Sequence, residues 1–461
     1  MQYISTRGAA PAVDFVTACL AGLAPDGGLY IPESWPQIAP ARPEESYIDV
    51  ATRILSAFAG DAMDVETVRG LCEKAYGEFA HHSVAPLVQA GPNHFIMELH
   101  HGPTLAFKDV AMQFIAQLYD HALTLRGERM SVVCATSGDT GGAAAAAFAG
   151  ARSVDLFILH PHERVSPVQR LFMTTTGAPN VHNFAVDSDF DACQAMVKAM
   201  FADRAFAASV GLSGVNSINW ARIAAQAVYY ATAQAALGPE RALRFVVPSG
   251  NMGDALAGYV AARCGLLAGF EAVCAVNENR ALETLFSTGQ MRRQESLATP
   301  SPAMDITVPS NFERILFEAS GRDPEVVRSV YETYSRSGSA ALPERVRGPL
   351  SCTGLSAQSV RNAETLAEMA RYFDETGTLI CPHTAVGTHI ARQLPVSEAL
   401  TVTLSTAHAA KFPETVSEVT GQAVPLPARC AGLSETAEVF RRFPNDLGQI
   451  RGAIEAAGTG Q

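Results

Sequence analysis

Short apolar runs that lead directly into polar, glycine-bearing turns and then into alanine-rich stretches recur along this chain, and they constrain its fold more than any other feature. Strands that alternate with helices in this way are typical of an α/β fold with a largely parallel sheet. Ligands bind such sheets in the crevice at the carboxyl ends of the strands, so these turns predict one shared crevice. The predicted strands that carry such turns are residues 131–135, 244–247 and 378–381, and a fourth predicted strand, residues 400–404, leads into the polar turn Ser-Thr-Ala-His, which has no glycine.

Length and charge limit the classes of protein to which the chain can belong. With 461 residues it is too long for one ordinary domain, so two or three packed units are expected. The net charge of −12, from 46 acidic and 34 basic residues, argues against nucleic acid as the main partner. No apolar run reaches the roughly 20 residues that span a bilayer. We therefore expect a soluble, cytoplasmic protein without a membrane partner.

The nine cysteines are scattered and include no C-x-x-C pair. This pattern suggests neither a zinc site nor a disulfide framework, and no metal is expected. Buried, reduced thiols are the simplest interpretation, and they suit the cytoplasm.

The organisation along the chain predicts two parts. Residues 1–95 are mixed in character, carry no chemical motif, contain a helical pattern near residues 65–79 and are expected to form an N-terminal α+β domain. Residues 96–461 contain the strand–turn–helix units and are expected to form the catalytic domain. Residues 280–350 interrupt the alternation with more charge, serine and proline, which predicts an insertion packed on the outside.

The turn at residues 249–254, Ser-Gly-Asn-Met-Gly-Asp, is a candidate phosphate site. It joins a predicted strand to a predicted helix, and backbone N–H groups at a helix N-terminus bind anions with help from the helix dipole. A tight turn without a ligand is the structural alternative. Neither the G-K-[ST] of a Walker A motif nor the G-x-G-x-x-G dinucleotide pattern is present here, so the turn does not favour ATP or NAD as its ligand.

The turn at residues 136–141, Thr-Ser-Gly-Asp-Thr-Gly, offers hydroxyl groups as well as backbone donors, which suits a carboxylate or a phosphate. Asp139 does not suit an anion-binding turn, because its carboxylate repels an anion. Two roles stay open for Asp139: it turns away from the anion within the site, or it caps the following helix.

Lys108 lies among apolar residues, after the run 94–99 and at the start of the helical pattern 110–119. A partly buried lysine has a lowered pKa and can attack a carbonyl group to form a Schiff base. The alternative is a lysine whose stem is buried while its amine reaches water. After the last predicted strand, the hydroxyl of Thr406 could contact a ring nitrogen of a bound heterocycle or cap a helix.

Five segments, in order along the chain, resemble the motifs of threonine synthases, and the opening segments 3–7 and 27–32 resemble the N-terminal domain of the longer members. The five are 101–109 (His-Gly-Pro-Thr-Leu-Ala-Phe-Lys-Asp), 136–141, 216–219 (Asn-Ser-Ile-Asn), 248–254 and 405–412. The resemblance covers most of the chain. It implies two open twisted-sheet lobes of the tryptophan-synthase-β-like fold and pyridoxal 5'-phosphate as cofactor. The implied reaction converts O-phospho-L-homoserine and water to L-threonine and phosphate.

The resemblance also assigns roles to residues at matching positions. Lys108 would bind the cofactor covalently and act as the catalytic base, and Thr406 would face the pyridine nitrogen. The implied loop for the cofactor phosphate is Gly250, Asn251, Met252, Gly253 and Asp254. The implied substrate-binding residues are Thr136, Ser137, Asp139, Thr140, Asn216, Asn219 and Arg222, with His383 and Lys411 as weaker candidates. Met252 departs from the family, which commonly has Phe there.

Two other functions remain compatible with the same motifs. One is another lyase of the class, such as a serine/threonine dehydratase or a cysteine-synthase-like enzyme. The other is a threonine-synthase-like protein that binds the cofactor without performing the reaction. A monomer or a homodimer is expected, with a small-molecule substrate.

Overall fold

A computed structural model of the protein describes residues 1–458, in which helices and strands alternate along most of the chain. The strands are β1 (Tyr3–Ser5), β2 (Tyr30–Pro32), β3 (Leu87–Gly91), β4 (His94–Glu98), β5 (Met130–Ala135), β6 (Val154–Pro161), β7 (Val181–Val186), β8 (Leu212–Ser213), β9 (Leu243–Pro248), β10 (Phe270–Val276), β11 (Gln290–Arg292), β12 (Ser339–Ala341), β13 (Leu355–Ser359), β14 (Leu400–Ser405) and β15 (Arg441–Phe443). The α-helices are α1 (Phe15–Ala21), α2 (Tyr47–Ala59), α3 (Val65–Tyr76), α4 (Lys108–Arg126), α5 (Asp139–Phe148), α6 (Pro167–Thr174), α7 (Phe190–Ala202), α8 (Arg204–Ser209), α9 (Trp220–Leu237), α10 (Gly253–Arg263), α11 (Ala281–Thr288), α12 (Phe312–Ala319), α13 (Pro324–Ser337), α14 (Glu344–Ser351), α15 (Asn362–Thr376), α16 (Pro382–Gln393), α17 (Pro413–Thr420) and α18 (Leu447–Gly458).

Two open, mainly parallel sheets form two lobes. One has the strand order β13-β10-β9-β14-β4-β3, and β3 is its antiparallel strand at one edge. The other has the order β15-β7-β6-β5-β8 and is parallel throughout. Parallel strands require crossover helices on the faces of the sheet, and this requirement gives the layered α/β architecture. The predicted α/β fold with two open-sheet lobes is confirmed.

The N-terminal region is an α+β unit that packs against α9. Strands β1 and β2 pair antiparallel, and helices α1, α2 and α3 accompany them. The indole of Trp220, fully buried at the start of α9, meets the rings of Tyr3 at 5.8 Å and Phe58 at 5.6 Å between centroids. Large aromatic side chains bury the most apolar area, so these contacts stabilise the seam between the two parts.

The prediction of a strand at residues 378–381 is wrong. The segment is an irregular connection between α15 and α16. Gly377, with φ of +70°, ends α15, and the Cys381 thiol caps α16 by accepting a hydrogen bond from the Thr384 N–H at 3.4 Å. A short apolar run has the same appearance in a strand and in a buried helix connection, because periodicity does not separate the two.

The expectation that residues 280–350 pack on the outside is wrong for α12. Phe312, Arg314 and Leu316 of this helix are fully buried. Glu313 accepts hydrogen bonds from Thr6 and Arg7 near the N-terminus. The helix therefore lies between the N-terminal region and the catalytic lobes, in contact with both.

Three neighbouring strands of the larger sheet, β9, β14 and β4, end at the same edge because they run parallel. The turn after β9 is residues 249–254, the turn after β14 is residues 406–408, and the segment after β4 leads to Lys108. Turns that the sequence predicted to share one crevice thus lie together at this edge, where the smaller sheet contributes the turn after β5.

Candidate active site

Lys108 is the first residue of α4 and is buried, with its side chain 10% exposed. Its amine donates to the Asp139 carboxylate, with Nζ 3.2 Å from Oδ2. The turn before it is fixed by Asp109, whose carboxylate accepts hydrogen bonds from the backbone N–H and the hydroxyl of Thr104 at 2.8 and 2.6 Å. Burial lowers the pKa of the Lys108 amine, the Asp139 carboxylate opposes that shift, and two nearby cations add to it. Such an amine is closer to its nucleophilic neutral form than an exposed lysine.

Asp139 lies between two buried lysines. Its second oxygen is 2.8 Å from Nζ of Lys411, which is fully buried, and Gln169 donates to the same oxygen at 2.9 Å. Although burial alone would raise the pKa of Asp139, the Lys411 and Lys108 cations hold it well below its ordinary value. Gly138 occupies the capping position of α5. The helix-cap role considered for Asp139 is therefore wrong, and the carboxylate instead neutralises the two amines.

The hydroxyl groups of the turn at residues 136–141 are of two kinds: one is bonded within the turn, and two are free of bonds to the described residues. The Thr136 hydroxyl oxygen accepts from the backbone N–H groups of Gly138 and Gly141 at 2.9 and 3.0 Å, which fixes the turn. Ser137 and Thr140 are half-buried. Within residues 1–458 their hydroxyls make no hydrogen bond, so both remain able to bind a polar ligand.

The turn at residues 249–254 leads from β9 into α10. Met252 is fully buried and has φ of +58°, a left-handed conformation that is uncommon outside glycine and often marks a functional turn. In the described part of the chain, the backbone N–H groups of Gly250, Asn251 and Met252 have no protein acceptor. These donors lie at the start of α10, where the helix dipole also favours an anion.

The same turn is supported by the segment that precedes α12. A methyl group at Gly250 would lie 2.8 Å from Ile306 and 3.1 Å from the Ala303 carbonyl oxygen, so only glycine fits there. The amide oxygen of Asn251 accepts from the Ser310 hydroxyl at 2.9 Å. Burial raises the pKa of Asp254 to about 7, and one of its carboxylate oxygens has no partner among the described residues.

The turn at residues 406–408 lies directly against the Lys108 segment. The Phe107 N–H donates to the Thr406 carbonyl at 2.8 Å, and the His408 N–H donates to the Leu105 carbonyl at 3.0 Å. Thr406 is buried. Its hydroxyl makes no hydrogen bond to any residue in the described range, and the capping side chain of the next short helix is that of His408. The alternative that Thr406 caps a helix is therefore wrong.

The three residues predicted on the substrate side have different environments. Asn216 is exposed, and within residues 1–458 its side chain forms no hydrogen bond. Asn219 is buried, donates its amide hydrogens to Cys19 and Tyr119 and accepts from its own helix, which leaves no hydrogen for a substrate. Arg222 is buried, and among the described residues its side chain makes one hydrogen bond, to the Val215 carbonyl at 3.2 Å. Burial lowers its pKa to about 10. Arg222 stays charged at neutral pH and keeps donors for an anion.

Two residues that were only weak candidates in the sequence analysis are central in the structure. Lys411 is far from Asp139 along the chain, and its position three residues after the turn at 406–408, within the family segment 405–412, was the signal available. His383 accepts a hydrogen bond from the Ala303 N–H at 3.3 Å and packs on the Phe412 ring. Burial lowers the pKa of His383 to about 4, so its imidazole is neutral at pH 7.

Comparison with known proteins identifies the family. Family models described as "Threonine synthase N terminus", "Pyridoxal-phosphate dependent enzyme" and "Threonine synthase, C-terminal" match residues 2–76, 81–405 and 384–454. The chain belongs to the threonine synthase family of pyridoxal-phosphate-dependent enzymes. The resemblance inferred from the sequence motifs is thereby confirmed.

Individual threonine synthases are similar to the chain over its full length. The threonine synthase of Pseudomonas aeruginosa is 43% identical, and the match covers 99% of both chains. The crystal structure of pyridoxal-phosphate-bound threonine synthase from Brucella melitensis is 44% identical, with a TM-score of 0.96 and complete coverage of both chains. The yeast enzyme superposes with a TM-score of 0.92 at 34% identity, over 99% of this chain and 98% of that chain.

No helix among residues 1–458 has both the length and the apolar character needed to cross a membrane. The same described residues contain no group of three or more His, Cys, Asp or Glu side chains arranged to hold a metal ion.

Proposed function

We propose that this threonine-synthase family member converts O-phospho-L-homoserine and water into L-threonine and phosphate, with pyridoxal 5'-phosphate held on Lys108. One observation carries the proposal: a buried lysine amine and a set of unpaired backbone N–H groups meet at the carboxyl edge of three neighbouring parallel strands. Full-length similarity to threonine synthases supports the choice among the chemistries that such an edge can host.

The residues at this edge fit the cofactor. Its phosphate suits the unpaired N–H groups of residues 250–252 at the start of α10. Its carbonyl carbon suits the buried amine of Lys108, and its ring nitrogen suits the unpaired hydroxyl of Thr406. When bound, pyridoxal phosphate supplies an electron sink for the carbon atoms of the substrate, while the protein supplies orientation and electrostatics.

Lys108 is proposed to move the protons of the reaction. With cofactor and substrate bound, Nζ of Lys108 would be the base that removes the proton from the substrate α-carbon. Burial lowers the pKa of this amine and so favours its neutral, proton-accepting form. Asp139 is positioned to accept a hydrogen bond from the amine after it gains a proton, and Lys411 keeps Asp139 ionised for that purpose.

The substrate has two anionic ends, and the crevice offers separate groups for them. We propose that the turn at residues 136–141 holds the carboxylate through the free hydroxyls of Ser137 and Thr140, with Thr136 fixing the turn. Arg222 is proposed for the substrate phosphate, since a guanidinium group matches phosphate with two parallel donors. Asn216 is retained as a substrate contact. Asn219 is reassigned to holding its loop in place.

Thr406 is proposed to keep the pyridine nitrogen unprotonated, because a neutral hydroxyl does not stabilise a positive charge as a carboxylate would. Replacing Thr406 by aspartate should lower the threonine yield per phosphate released and raise the share of keto-acid by-products. Thr406→Ser keeps a hydroxyl and should retain the wild-type product ratio. The ratio is measured by chromatography of the reaction mixture. An unchanged product ratio in Thr406→Asp would remove this role.

The direct test of the proposed function is product analysis with the purified enzyme loaded with cofactor. We expect equal amounts of phosphate and L-threonine from O-phospho-L-homoserine, and little keto acid from L-serine or L-threonine. Keto acid as the main product from serine or threonine would favour a dehydratase. A visible absorption band of bound cofactor without turnover of any of these substrates would favour a binding protein.

Three further features are proposed on the same basis. The N-terminal domain comprises residues 1–95 and the catalytic domain residues 96–461, with an insertion at about 280–350 whose helix α12 is buried between the two. The nine cysteines are free, which suits a cytoplasmic location. A monomer or a homodimer remains the expected state.

A further inference from the structure

Arg314 joins three separate segments of the chain through a single buried guanidinium group. It lies in the first turn of α12 and is fully buried. Its Nε donates to the Tyr30 carbonyl of β2 at 2.9 Å, and its Nη2 donates to the Ile218 carbonyl at 2.7 Å. Its Nη1 donates to the amide oxygen of Asn311 at 2.6 Å. The guanidinium plane therefore fixes β2, the loop before α9 and the segment before α12 relative to one another.

Asn311 extends this connection to the cofactor loop. Its side-chain amide donates to the Asn251 carbonyl at 3.1 Å and to the Ser217 carbonyl at 3.0 Å. Its backbone N–H donates to the Asn251 carbonyl at 3.2 Å. Asn311 is fully buried, so these bonds are shielded from water. The side chains of Arg314 and Asn311 thus form a continuous series of hydrogen bonds that joins β2 to the proposed phosphate loop and to the loop that carries Asn216.

The N-terminal region also holds the loop before α9 from a second side. The Ser213 hydroxyl donates to the Leu20 carbonyl at 2.7 Å, and the Asn219 amide donates to the Cys19 carbonyl at 2.8 Å. Both acceptors belong to α1. The loop is therefore fixed between α1 and Arg314, and neither attachment involves a residue that is free to contact a ligand.

The charge of Arg314 is compensated by neutral oxygen atoms. Within residues 1–458 it forms no salt bridge, because the adjacent Glu313 is paired with Thr6 and Arg7 instead. The Arg314 guanidinium also lies over the Trp220 ring, 5.5 Å from the centroid. Burying a cation with neutral partners costs more free energy than an apolar side chain of the same size. A role in fixing geometry accounts for an arginine at this position better than stability does.

We propose that Arg314 is a positioning residue through which the N-terminal region fixes both the cofactor loop and the substrate loop. This inference rests on the proposed function for the substrate loop, whereas the cofactor-loop part needs only cofactor binding. It assigns the N-terminal region a role in ligand affinity, although none of its described residues belongs to the proposed pocket.

The test compares Arg314→Lys and Asn311→Ala with the wild type. Lysine keeps the charge but cannot donate in three divergent directions. Alanine at position 311 removes the side-chain bonds to Asn251, Ser217 and Arg314 and leaves the Arg314 bonds to Tyr30 and Ile218 in place. We expect both variants to raise the dissociation constant of pyridoxal phosphate about tenfold, measured by titration of the visible absorption of cofactor-free protein. In Arg314→Lys, KM for O-phospho-L-homoserine should also rise roughly tenfold while kcat stays within about threefold.

Arg7→Gln is the matched control, because Arg7 ties the N-terminus to the neighbouring residue Glu313 without contacting either loop. This variant should lower the unfolding temperature and leave both the cofactor dissociation constant and KM for O-phospho-L-homoserine unchanged. The inference is overturned if Arg314→Lys and Asn311→Ala lower the unfolding temperature but leave the cofactor dissociation constant within twofold of wild type. If Arg314→Lys does not fold, Asn311→Ala decides the question by itself. The cofactor titration stands even if O-phospho-L-homoserine is not the substrate.

Discussion

Replacing Lys108 by alanine should reduce phosphate release from O-phospho-L-homoserine by at least about 10³-fold and abolish covalent retention of the cofactor. The reason is that one amine is proposed to do both tasks, whereas a water molecule in its place would be a far weaker base and could not bind the cofactor covalently. Activity is measured by phosphate release. Covalent retention is measured by borohydride reduction of the loaded protein followed by peptide mass analysis.

Lys411→Met is the control for this prediction. Lys411 contacts the same carboxylate as Lys108 and is also buried, so its removal changes the local charge without removing the proposed anchor. Lys411→Met should keep the reduced cofactor attached to the peptide that contains Lys108. Cofactor trapped on another lysine in Lys108→Ala, with activity retained, would refute the assignment of Lys108.

Replacing Asp139 by alanine should lower the free energy of unfolding of the cofactor-free protein by about 3–5 kcal/mol at pH 7. Asp139 separates the amines of Lys108 and Lys411, at 3.2 and 2.8 Å from its two oxygens. Without it, two buried cations would face each other unpaired. The measurement is equilibrium denaturation in urea.

The pH dependence of this effect has a defined sign. The pKa of Asp139 is lower in the folded protein than its ordinary value of about 3.9, so its stabilising contribution is complete above that value. It is lost only as the pH falls through the lower folded pKa. The difference between wild type and Asp139→Ala should therefore be largest near neutral pH and shrink in strong acid.

A double variant separates charge from packing. In Asp139→Ala with Lys411→Met, one of the two facing amines is gone, so a substantial part of the lost stability should return. If the double variant is as unstable as the sum of the two single variants, the loss comes from packing and the charge argument fails.

The pattern of neighbouring residues along the chain was enough to predict the fold class and the main positions of the site. A strand that ends in a polar turn and continues into a helix can be predicted from its own residues, because turn chemistry and helix starts depend on neighbouring residues. This is why the turn at 249–254, the turn at 406–408 and Lys108 at the start of α4 could be placed from the sequence. The family motifs supplied the chemistry that those positions imply.

Only the tertiary structure shows which side chains of the loops are used in hydrogen bonds and ion pairs within the protein. Asp139 could not be assigned from the sequence, because Lys108 and Lys411 lie 31 and 272 residues away and contact it only in the folded chain. Asn219 appeared equivalent to Asn216, yet its amide is used entirely by α1, α4 and α9. Residues 378–381 connect α15 to α16 and join neither sheet, and their apolar spacing does not distinguish the two outcomes.

Sequence periodicity records which residues are apolar and how they are spaced, and together with the polar turns it predicted the alternation of strands and helices in this protein. Hydrogen bonds and ion pairs between distant residues leave no periodic trace, because their partners are brought together by chain topology. The paired lysines around Asp139 and the connection through Arg314 belong to this second class, and only the folded chain reveals them.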